Sequence, residues 1–223
     1  MEHHPKNNLF SRIYEWAVLP VHRSFDVKSA IEKRRLYKNN FRWLRSERVA
    51  GFCKPFQTAN RIGWSFISPI DIKLSKIEEV QFEGSNEEAQ QIATQLGLNH
   101  VWERGGIKIG IKTETPLRLY DFKRQEDIWE AMFIINGEGS LEWKLGFDIN
   151  IHPNQNIIIL DDPMNPKGIC LNGVLSYKQL KKINESTGFA LPVKPTSEII
   201  IKRGDVIGMF MIVTNETIAL NLQ

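Results

Sequence analysis

The fold is decided by three segments: FDINIHPNQNIIILDDPMNPKG at residues 147–168, GVLSYKQL at 173–180 and SEIIIKRGDVIGMFMIV at 197–213. Each contains an apolar, isoleucine- or valine-rich run that begins or ends at a cluster of Asp, Pro, Asn or Gly. Such runs are typical of β-strands, because β-branched residues suit strands and the flanking residue types suit turns. The turn Lys202-Arg203-Gly204-Asp205 then leads into the apolar run that ends at Val213. These segments predict β-structure.

The same pattern continues outward from these segments. The stretch GWSFISPIDIKL at 63–74 predicts a strand that is interrupted at Ser68-Pro69, because proline cannot donate to a central ladder. Further strands are predicted at 76–84, 106–113, 116–122, 128–135, 140–151, 156–161, 169–175, 197–202, 205–213 and 217–222. Many short strands between turn residues favour a mainly β fold: a sandwich, a jelly-roll-like barrel or a β-clip.

Helices are predicted mainly ahead of the β region. Residues 9–19 have apolar positions at helical spacing and end at Pro20, and a second helix begins after Asp26. The apolar positions of that second helix drift around its axis, which argues against continuity beyond Asn39. One short internal helix is predicted at residues 86–96, capped by Ser85 or Asn86 and ended by Gly97. Residues 177–186 fit either a helical turn or a solvated loop.

Charge divides the chain unevenly. Residues 1–54 carry 12 Lys and Arg against 5 Asp and Glu, although the net charge of the whole chain is only +3. We therefore predict a basic helical arm at residues 1–50 and a β-rich domain at residues 51–223. The arm is either a docking face for an acidic partner or a solvated helix. The candidate contact residues are Arg34, Arg35, Arg42, Trp43 and Arg45.

Length and composition are those of a soluble globular protein. The chain has 223 residues, of which 42% are hydrophobic and 25% charged. Its two cysteines, Cys53 and Cys170, match no metal-ligand spacing and are expected to be reduced. The start of the chain does not have the pattern of a signal peptide, and no run of about 18 apolar residues occurs. We therefore expect a cytoplasmic protein that makes no membrane contact.

Few residues have the pattern of a catalytic or metal site. The chain has no GxSxG, P-loop, GxGxxG or HExxH motif. His100, Glu103 and His152 are the candidates for a metal site, but their spacing differs from that of two histidines and a carboxylate around iron. No metal and no cofactor is therefore predicted.

The acidic turn is the remaining candidate site. Asp161 and Asp162 could offer hard oxygen ligands, and the prolines that follow favour a turn that brings them together. Asp148 and Asn165 complete the set of ligand-binding candidates. The alternative interpretation is a turn in which one aspartate bonds to the backbone.

Three motifs resemble a family of uncharacterised proteins from bacteria and tailed phages that is classified as a domain of unknown function. The motifs are FCKPFQTANRIGWSFISPIDIKL at 52–74, NIIILDDPMNPKG with CLNGVL at 156–175, and IIIKRGDVIGMFMIV at 199–213. The resemblance covers roughly residues 25–75 and 147–213. The family has no established activity that the resemblance could imply.

The turn Arg203-Gly204-Asp205 is also similar to a motif of trimeric dUTP pyrophosphatases, which have β-clip folds. Those enzymes also use a Gly-x-x-Asp-x-x-Tyr strand and a glycine-rich tail. Here the segment at 173–180 has Ser176 and Tyr177 without the aspartate, and the tail NETIALNLQ has no glycine. The similarity implies at most a shared β topology.

The sequence favours a binding or assembly protein whose basic N-terminal arm docks a partner or a neighbouring subunit. One alternative is a small β-fold enzyme of specialised metabolism or nucleotide handling, with a polar or metal-assisted site near Asp161. A second alternative is nucleic-acid binding through the arm, whose aromatic and basic residues have the composition of a single-strand-binding surface.

Overall fold

The structure, a computed structural model, describes residues 8–40, 51, 53–163, 167–186 and 188–221. Its strands are β1 (Phe10–Arg12), β2 (Val21–His22), β3 (Trp64–Ile67), β4 (Ile72–Leu74), β5 (Glu78–Phe82), β6 (His100–Arg104), β7 (Ile107–Lys112), β8 (Phe122–Gln125), β9 (Ile128–Glu130), β10 (Phe133–Gly137), β11 (Ser140–Lys144), β12 (Phe147–Ile149), β13 (Gln155–Leu160), β14 (Gly173–Ser176), β15 (Ala190–Val193), β16 (Ile199–Ile201) and β17 (Val206–Thr214). Its helices are α1 (Val27–Asn40), α2 (Lys54–Ala59), α3 (Asn86–Leu96), α4 (Tyr177–Asn184) and α5 (Asn215–Asn221). The prediction of a mainly β fold with helices is confirmed.

The largest sheet has five antiparallel strands in the order β14-β13-β17-β3-β2. Its central strand, β17, pairs with β13 over six residue pairs and with β3 on the other side. Smaller sheets surround it in the orders β10-β11-β15, β5-β7-β6, β16-β4, β8-β9 and β1-β12. The interruption predicted at Ser68-Pro69 is confirmed, since β3 ends at Ile67 and β4 begins at Ile72.

The core is built on aromatic side chains. Phe66 of β3 stacks on Phe210 of β17 with ring centroids 4.8 Å apart, and on Phe189 at 5.0 Å. Trp143 and Phe147 are also fully buried in the same cluster. Burying side chains of this size contributes on the order of 2 kcal/mol each, so this cluster holds the sheets together.

Two of the predicted helices are confirmed with their caps. Helix α3 has the predicted bounds: Ser85 and Glu88 form a capping box, and Gly97 ends the helix at a φ of +64°. Helix α1 begins after Asp26, whose Oδ1 accepts a hydrogen bond from the Ser29 N–H at 3.0 Å. Residues 177–186, for which two interpretations were open, form α4 with a second capping box at Ser176.

The helix predicted at residues 9–19 is wrong. Phe10–Arg12 is strand β1, which pairs with β12, and the N–H groups of Ile13 and Tyr14 donate to the Gly146 carbonyl. Tyr14 and Trp16 stack on each other and pack against Phe122 at ring distances of 4.9 and 5.0 Å. Pairing and aromatic packing with distant residues therefore override the local helical spacing.

Two segments predicted as strands are helical over most of their described length. Residues 215–221 form α5, whose Thr217 N–H donates to Thr214 Oγ1 at 3.3 Å, as in a helix cap. Leu117–Tyr120 is a 3₁₀ turn after Pro116, and strand β8 starts only at Phe122. Pro116 and the capping Thr214 therefore determine the secondary structure of these two segments more strongly than their alternating apolar residues do.

The residues of the predicted arm divide between two environments. Strand β1 lies in a sheet with β12, and β2 is the edge strand of the five-stranded sheet. Helix α1 follows them, and the segment after Asn40 lies outside the described residues until Gly51. The boundary at residue 50 stays a prediction. Within the described ranges, no helix is both long and apolar enough to cross a membrane.

Candidate functional site

A cavity of about 510 Å³ lies between helices α1 and α2 and the edge of the five-stranded sheet. We call it the Arg23 cavity. Its lining comes from β2 and the residues after it, from α1, α2 and β3, and from the loop after β13. The lining residues are Val21, His22, Arg23, Ser24, Phe25, Asp26, Ser29, Ala30, Lys33, Gly51, Phe56, Asn60, Ser65, Asp162 and Val206.

Hydrogen bonds and one close backbone approach fix the chain around this cavity. The Arg23 N–H donates to the Gly63 carbonyl at 3.0 Å, which holds the residue beside β3. Gly63 has a φ of +85°, and an added Cβ there would overlap the Phe210 carbonyl. Asn60 follows α2, and its Nδ2 donates to the Phe56 carbonyl at 2.8 Å. Strand and helix ends therefore set the position of both polar side chains.

The base of the cavity contains a buried ion pair. Arg23 Nη1 lies 3.0 Å from Asp162 Oδ1, and the two side chains are only 4% and 7% exposed. Arg23 Nη2 also donates to Asn60 Oδ1 at 3.3 Å, and Nη1 contacts the sulfur of Met209. Desolvating two charges costs several kcal/mol per ion, so a pair this deeply buried is weak evidence for stability alone.

One hydrogen-bond donor of Arg23 has no partner in the part of the chain that the structure describes. The buried Nε–H makes no hydrogen bond with any described residue. A buried donor without a partner carries a penalty of about 1–3 kcal/mol. Such groups are rare in native structures and call for an explanation, such as a ligand or a bound water.

The wall of the cavity is aromatic and its rim is charged. Phe25 and Phe56 meet edge to face with ring centroids 6.0 Å apart. His22 and Lys33 are exposed at the rim. His22 Nδ1 lies 2.9 Å from the Arg23 carbonyl; because a carbonyl only accepts, Nδ1 carries the hydrogen and Nε2 accepts in the neutral ring. A volume of this size suits a small organic ligand.

The two aspartates of the predicted acidic turn point to different places. Asp162 belongs to the Arg23 cavity, as described above. Asp161 Oδ2 accepts a hydrogen bond from the Gly168 N–H at 3.2 Å, and the Asp161 N–H donates to Asn172 Oδ1 at 3.1 Å. Asp161 therefore closes the turn by bonding to the backbone. Asn165 lies outside the described residues.

Asp148 lies in neither of these places. It is the central residue of β12, opposite Ser11 of β1, and it lines a second cavity beside α4. Burial raises the pKa of the Asp148 carboxyl above its ordinary value. The structure therefore separates Asp148 from Asp162, and the predicted ligand-binding set is not one site.

The candidate metal ligands are also separated. His100 and Glu103 on β6 line a cavity of about 430 Å³ beside α3, where Glu103 is ion-paired with Lys108. Burial, and then the charge of Arg118, lower the pKa of His100. His152 lies in the turn before β13 and contacts Asn154 Oδ1 at 2.7 Å. In the part of the chain that is described, no group of three or more His, Cys, Asp or Glu could hold a metal ion.

The predicted partner-binding residues lie partly on α1. Arg35 forms an exposed ion pair with Glu32 at 2.7 Å, and Arg34 on the same helix is half-buried. Helix α1 also exposes Val27 and Ile31, which lie one turn apart, and Leu36 on another side of the helix. Arg42, Trp43 and Arg45 lie outside the described residues.

The turn at Arg203 joins three segments of the chain. The Arg203 Nη1 group donates to the carbonyls of Pro69 and Trp16. Asp205 Oδ2 accepts hydrogen bonds from the Lys202 N–H at 3.1 Å and from Lys167 Nζ at 3.0 Å. The backbone hydrogen bond from Lys202, followed by the bond from Lys167, lowers the pKa of Asp205. These contacts position β17 relative to β3.

Sequence reasoning did not find Arg23 and Asn60. Arg23 contacts Asn60 and Met209, which are 37 and 186 residues away, and no local motif signals such contacts. The one available signal is Asp162, which the sequence offers as a carboxylate ligand in a turn that precedes Pro163. The arginine that neutralises it could be identified only from the pairing of β2 with β3.

The fold and the site together define a mainly β protein with an open, partly apolar cavity built over a buried ion pair. No family model, no curated protein and no solved structure matches the chain. The resemblance to the bacterial and phage family therefore stays a prediction, and function must be inferred from the site.

Proposed function

We propose that this chain is a binding protein whose ligand site is the Arg23 cavity and whose ligand carries a carboxylate on an apolar body. The observation that supports it most directly is the buried Arg23 Nε–H without an acceptor in the described chain. A carboxylate oxygen would reach this N–H after the side chains that cover Nε move aside, and it would then accept a charge-assisted hydrogen bond, which is about twice as strong as a neutral one.

The Arg23–Asp162 pair has a clear role in this proposal. Asp162 Oδ1 holds Nη1, and Asn60 Oδ1 holds Nη2, so the planar guanidinium has one defined orientation. A guanidinium fixed in this way loses little entropy when it binds a further acceptor. The pair therefore keeps a binding group in place at the base of a partly apolar cavity.

The chain segment around the cavity is basic, although the lining itself is neutral. Residues 8–40 carry seven Lys and Arg against three Asp and Glu, whereas the lining has Arg23 and Lys33 against Asp26 and Asp162. Basic surroundings raise the local concentration of anions and their rate of association. The apolar part of the ligand would lie against Phe25 and Phe56, where burying an aromatic ring is favourable.

The carboxylate has two possible sources, a free organic acid or an acidic group of a partner or neighbouring subunit. The second source corresponds to docking through the basic N-terminal segment. It is favoured by the exposed Val27 and Ile31, which lie one turn apart on α1. Exposed apolar side chains that cluster in a patch mark interaction surfaces more often than chance.

The proposal is tested by calorimetric titration with benzoate and with benzamide, its neutral counterpart. The Arg23→Lys variant keeps a positive charge near Asp162 but has no Nε–H in a planar fork. We expect benzoate to bind wild-type protein more tightly than benzamide, and binding to weaken at least tenfold in Arg23→Lys. The control is Arg35→Lys on the exposed side of α1, which should bind as wild type does.

A free organic acid and an acidic group of a partner are distinguished by variants of Arg35. Charge reversal at Arg35 should weaken the binding of a partner that covers α1, whereas it should not affect a free acid in the cavity. A short acidic peptide with a terminal phenylalanine serves as the partner probe. Equal binding by Arg23→Lys and wild type, for both probes, would refute the proposal.

The other two functions remain alternatives. An enzymatic site near Asp161 would show turnover or a stabilising response to nucleotides or divalent ions, and Asp161→Asn should abolish it. Nucleic-acid binding through the basic segment would appear in fluorescence polarisation with mixed oligonucleotides and would weaken steeply with salt.

A further inference from the structure

A groove of about 430 Å³ lies between strand β6 and helix α3. We call it the α3–β6 groove. One of its walls is a single face of α3, and the other is the chain at residues 98–103. The lining residues are Asn86, Ala89, Gln90, Ala93, Leu98, Asn99, His100, Val101, Trp102, Glu103 and Lys108. None of them lines the Arg23 cavity.

The lining shows that this groove follows the edge of β6 rather than one face of the sheet. Successive side chains of a strand point to opposite faces, so a cavity over a face meets alternate residues. Strand β5 of the same sheet meets a different cavity in this way, through Glu79 and Gln81. The α3–β6 groove instead meets six consecutive residues, 98–103. A groove that meets both sets of side chains lies beside the backbone itself.

The outer edge of β6 offers hydrogen-bonding groups of the backbone. Strand β6 is the last in the order β5-β7-β6, and β7 is its one partner strand among the described residues. The two strands join through a two-residue turn at 105–106, so Arg104 and Ile107 form the first hydrogen-bonded pair of the ladder. Bonded and non-bonded pairs then alternate along an antiparallel ladder. The N–H and C=O groups of Val101 and Glu103 therefore point away from β7.

The same register determines which side chains of β6 face α3. Glu103 lies opposite Lys108, whose Nζ donates to Glu103 Oε2 and to Asn86 Oδ1 of α3. Val101 is two residues before Glu103 and therefore points the same way. Trp102 points to the other face, where it packs against the core. A peptide residue paired with Val101 would therefore direct its side chain toward α3.

We infer that the α3–β6 groove binds an extended peptide segment of a partner protein, which adds to the sheet as a fourth strand beside β6. Exposed sheet edges recognise peptides in this way: backbone hydrogen bonds provide affinity, and pockets for alternate side chains provide specificity. The outward groups of Val101 and Glu103 would make the backbone bonds. The peptide residue opposite Val101 would lie near Ala93 and Leu98, which suits an apolar side chain. The residue opposite Glu103 would meet the Glu103–Lys108 ion pair, which suits an uncharged polar side chain.

A second copy of this chain fits the same edge less well. Two β6 strands paired antiparallel would be related by a twofold axis perpendicular to the sheet, so both α3 helices would lie on the same face. Helix α3 packs over β6, and paired strands are only about 4.8 Å apart. Two helices side by side need about 8–10 Å between their axes. A peptide brings no helix of its own and avoids this clash.

The test uses a fluorescent peptide in which valine and threonine alternate between terminal lysines, and fluorescence polarisation measures its binding. Two matched isomers carry N-methyl groups either on the valines or on the threonines, which removes alternate N–H donors. The valines are expected to face α3 and therefore to be the residues that bond to β6. We expect the parent peptide and the threonine-methylated isomer to bind, and the valine-methylated isomer to bind at least tenfold more weakly.

Variants of both walls test the same contacts from the protein side. Val101→Pro removes one outward N–H, and an edge strand tolerates proline where its N–H would face solvent. Ala93→Phe fills the groove from α3. Thr94→Phe is its matched control, because Thr94 is exposed and lines a different hollow on the same helix. We expect Val101→Pro and Ala93→Phe each to weaken binding of the parent peptide at least tenfold, and Thr94→Phe to bind as wild type does.

Circular dichroism and the melting temperature show whether the variants are folded, and the Ala93→Phe and Thr94→Phe pair decides if Val101→Pro is not. Backbone NMR locates the peptide: the amide protons of Val101 and Glu103 should exchange more slowly once it binds, whereas that of Trp102 is protected by β7 beforehand.

The inference is overturned if the parent peptide does not bind, if both isomers bind equally, or if Ala93→Phe binds as Thr94→Phe does. Dimerisation that Ala93→Phe abolishes would assign the edge to a second copy and would also overturn it. Because no residue of this groove lines the Arg23 cavity, failure here is separate from failure of the carboxylate site.

Discussion

Removing Asp162 should destabilise the protein far more than removing Arg23 and Asp162 together. In Asp162→Ala, the guanidinium of Arg23 stays buried, with Asn60 Oδ1 as its remaining oxygen partner among the contacts described above. Breaking one side of a buried ion pair costs about 3–5 kcal/mol. For a chain of this length, that lowers the melting temperature by roughly 6–20 °C.

The double variant Arg23→Met with Asp162→Leu removes both charges. Replacing a buried pair by apolar residues is often neutral or stabilising by about 1–4 kcal/mol. Here Asn60 Oδ1 loses its donor, which costs about 1–3 kcal/mol. The double variant should therefore lie within about 3 kcal/mol of wild type and above Asp162→Ala in stability.

The measurement is urea denaturation followed by tryptophan fluorescence, since the chain has six tryptophans. The slope of the transition should be unchanged, so that midpoints report stability. Glu32→Ala is the control: it breaks the Arg35–Glu32 pair, whose side chains are 70% and 63% exposed, and it should cost less than about 1 kcal/mol. The reasoning is refuted if Asp162→Ala costs no more than this control, or if the double variant is the less stable one.

Three further predictions follow from the backbone and from buried acidic groups. Gly97→Ala, at a φ of +64° with open space around it, should lower the free energy of unfolding by about 1 kcal/mol. Gly63→Ala should lower it by at least twice as much in the same urea assay, because the added Cβ overlaps the Phe210 carbonyl of β17. Burial raises the pKa of Cys170 to about 12, so a thiol reagent near pH 8 should label only the exposed Cys53 in native protein, and both thiols in urea. Folding raises the pKa of the Asp148 carboxyl, so its charged form opposes folding above the ordinary carboxyl pKa of 3.8. Asp148→Asn should therefore raise the melting temperature near pH 7. This gain should vanish as the pH falls toward about 3.5.

Local chemistry explains which elements the sequence could predict. Helix α3 is bounded by Ser85, Glu88 and Gly97, three residues that act within one turn of the helix ends they cap. The isoleucine runs of β13 and β17 are likewise bounded by turn residues that act on their immediate neighbours. Signals of this kind lie within about ten residues and can be read directly.

Elements that depend on distant partners could not be predicted in the same way. The apolar spacing of residues 9–19 fits a helix, yet the N–H groups of Ile13 and Tyr14 bond to Gly146, more than a hundred residues away. In the candidate site, too, one residue could be predicted from its neighbours and the other depends on distant contacts. Asp162 could be selected from its turn, but its partner Arg23 is brought to it by the short edge strand β2, which has only two residues.

The position of β17 in the five-stranded sheet has a consequence for synthesis of the chain. This strand lies between β3 and β13, although the ribosome makes both of them first. Until residues 206–214 emerge, β3 and β13 each present an open hydrogen-bonding edge, and Phe66 lacks the ring of Phe210 that covers it. Open apolar edges of this kind invite aggregation. The nascent chain therefore stays vulnerable until β17 has been made, and a message truncated before Val206 yields the β2–β3 and β13–β14 pairs without the strand that pairs with both.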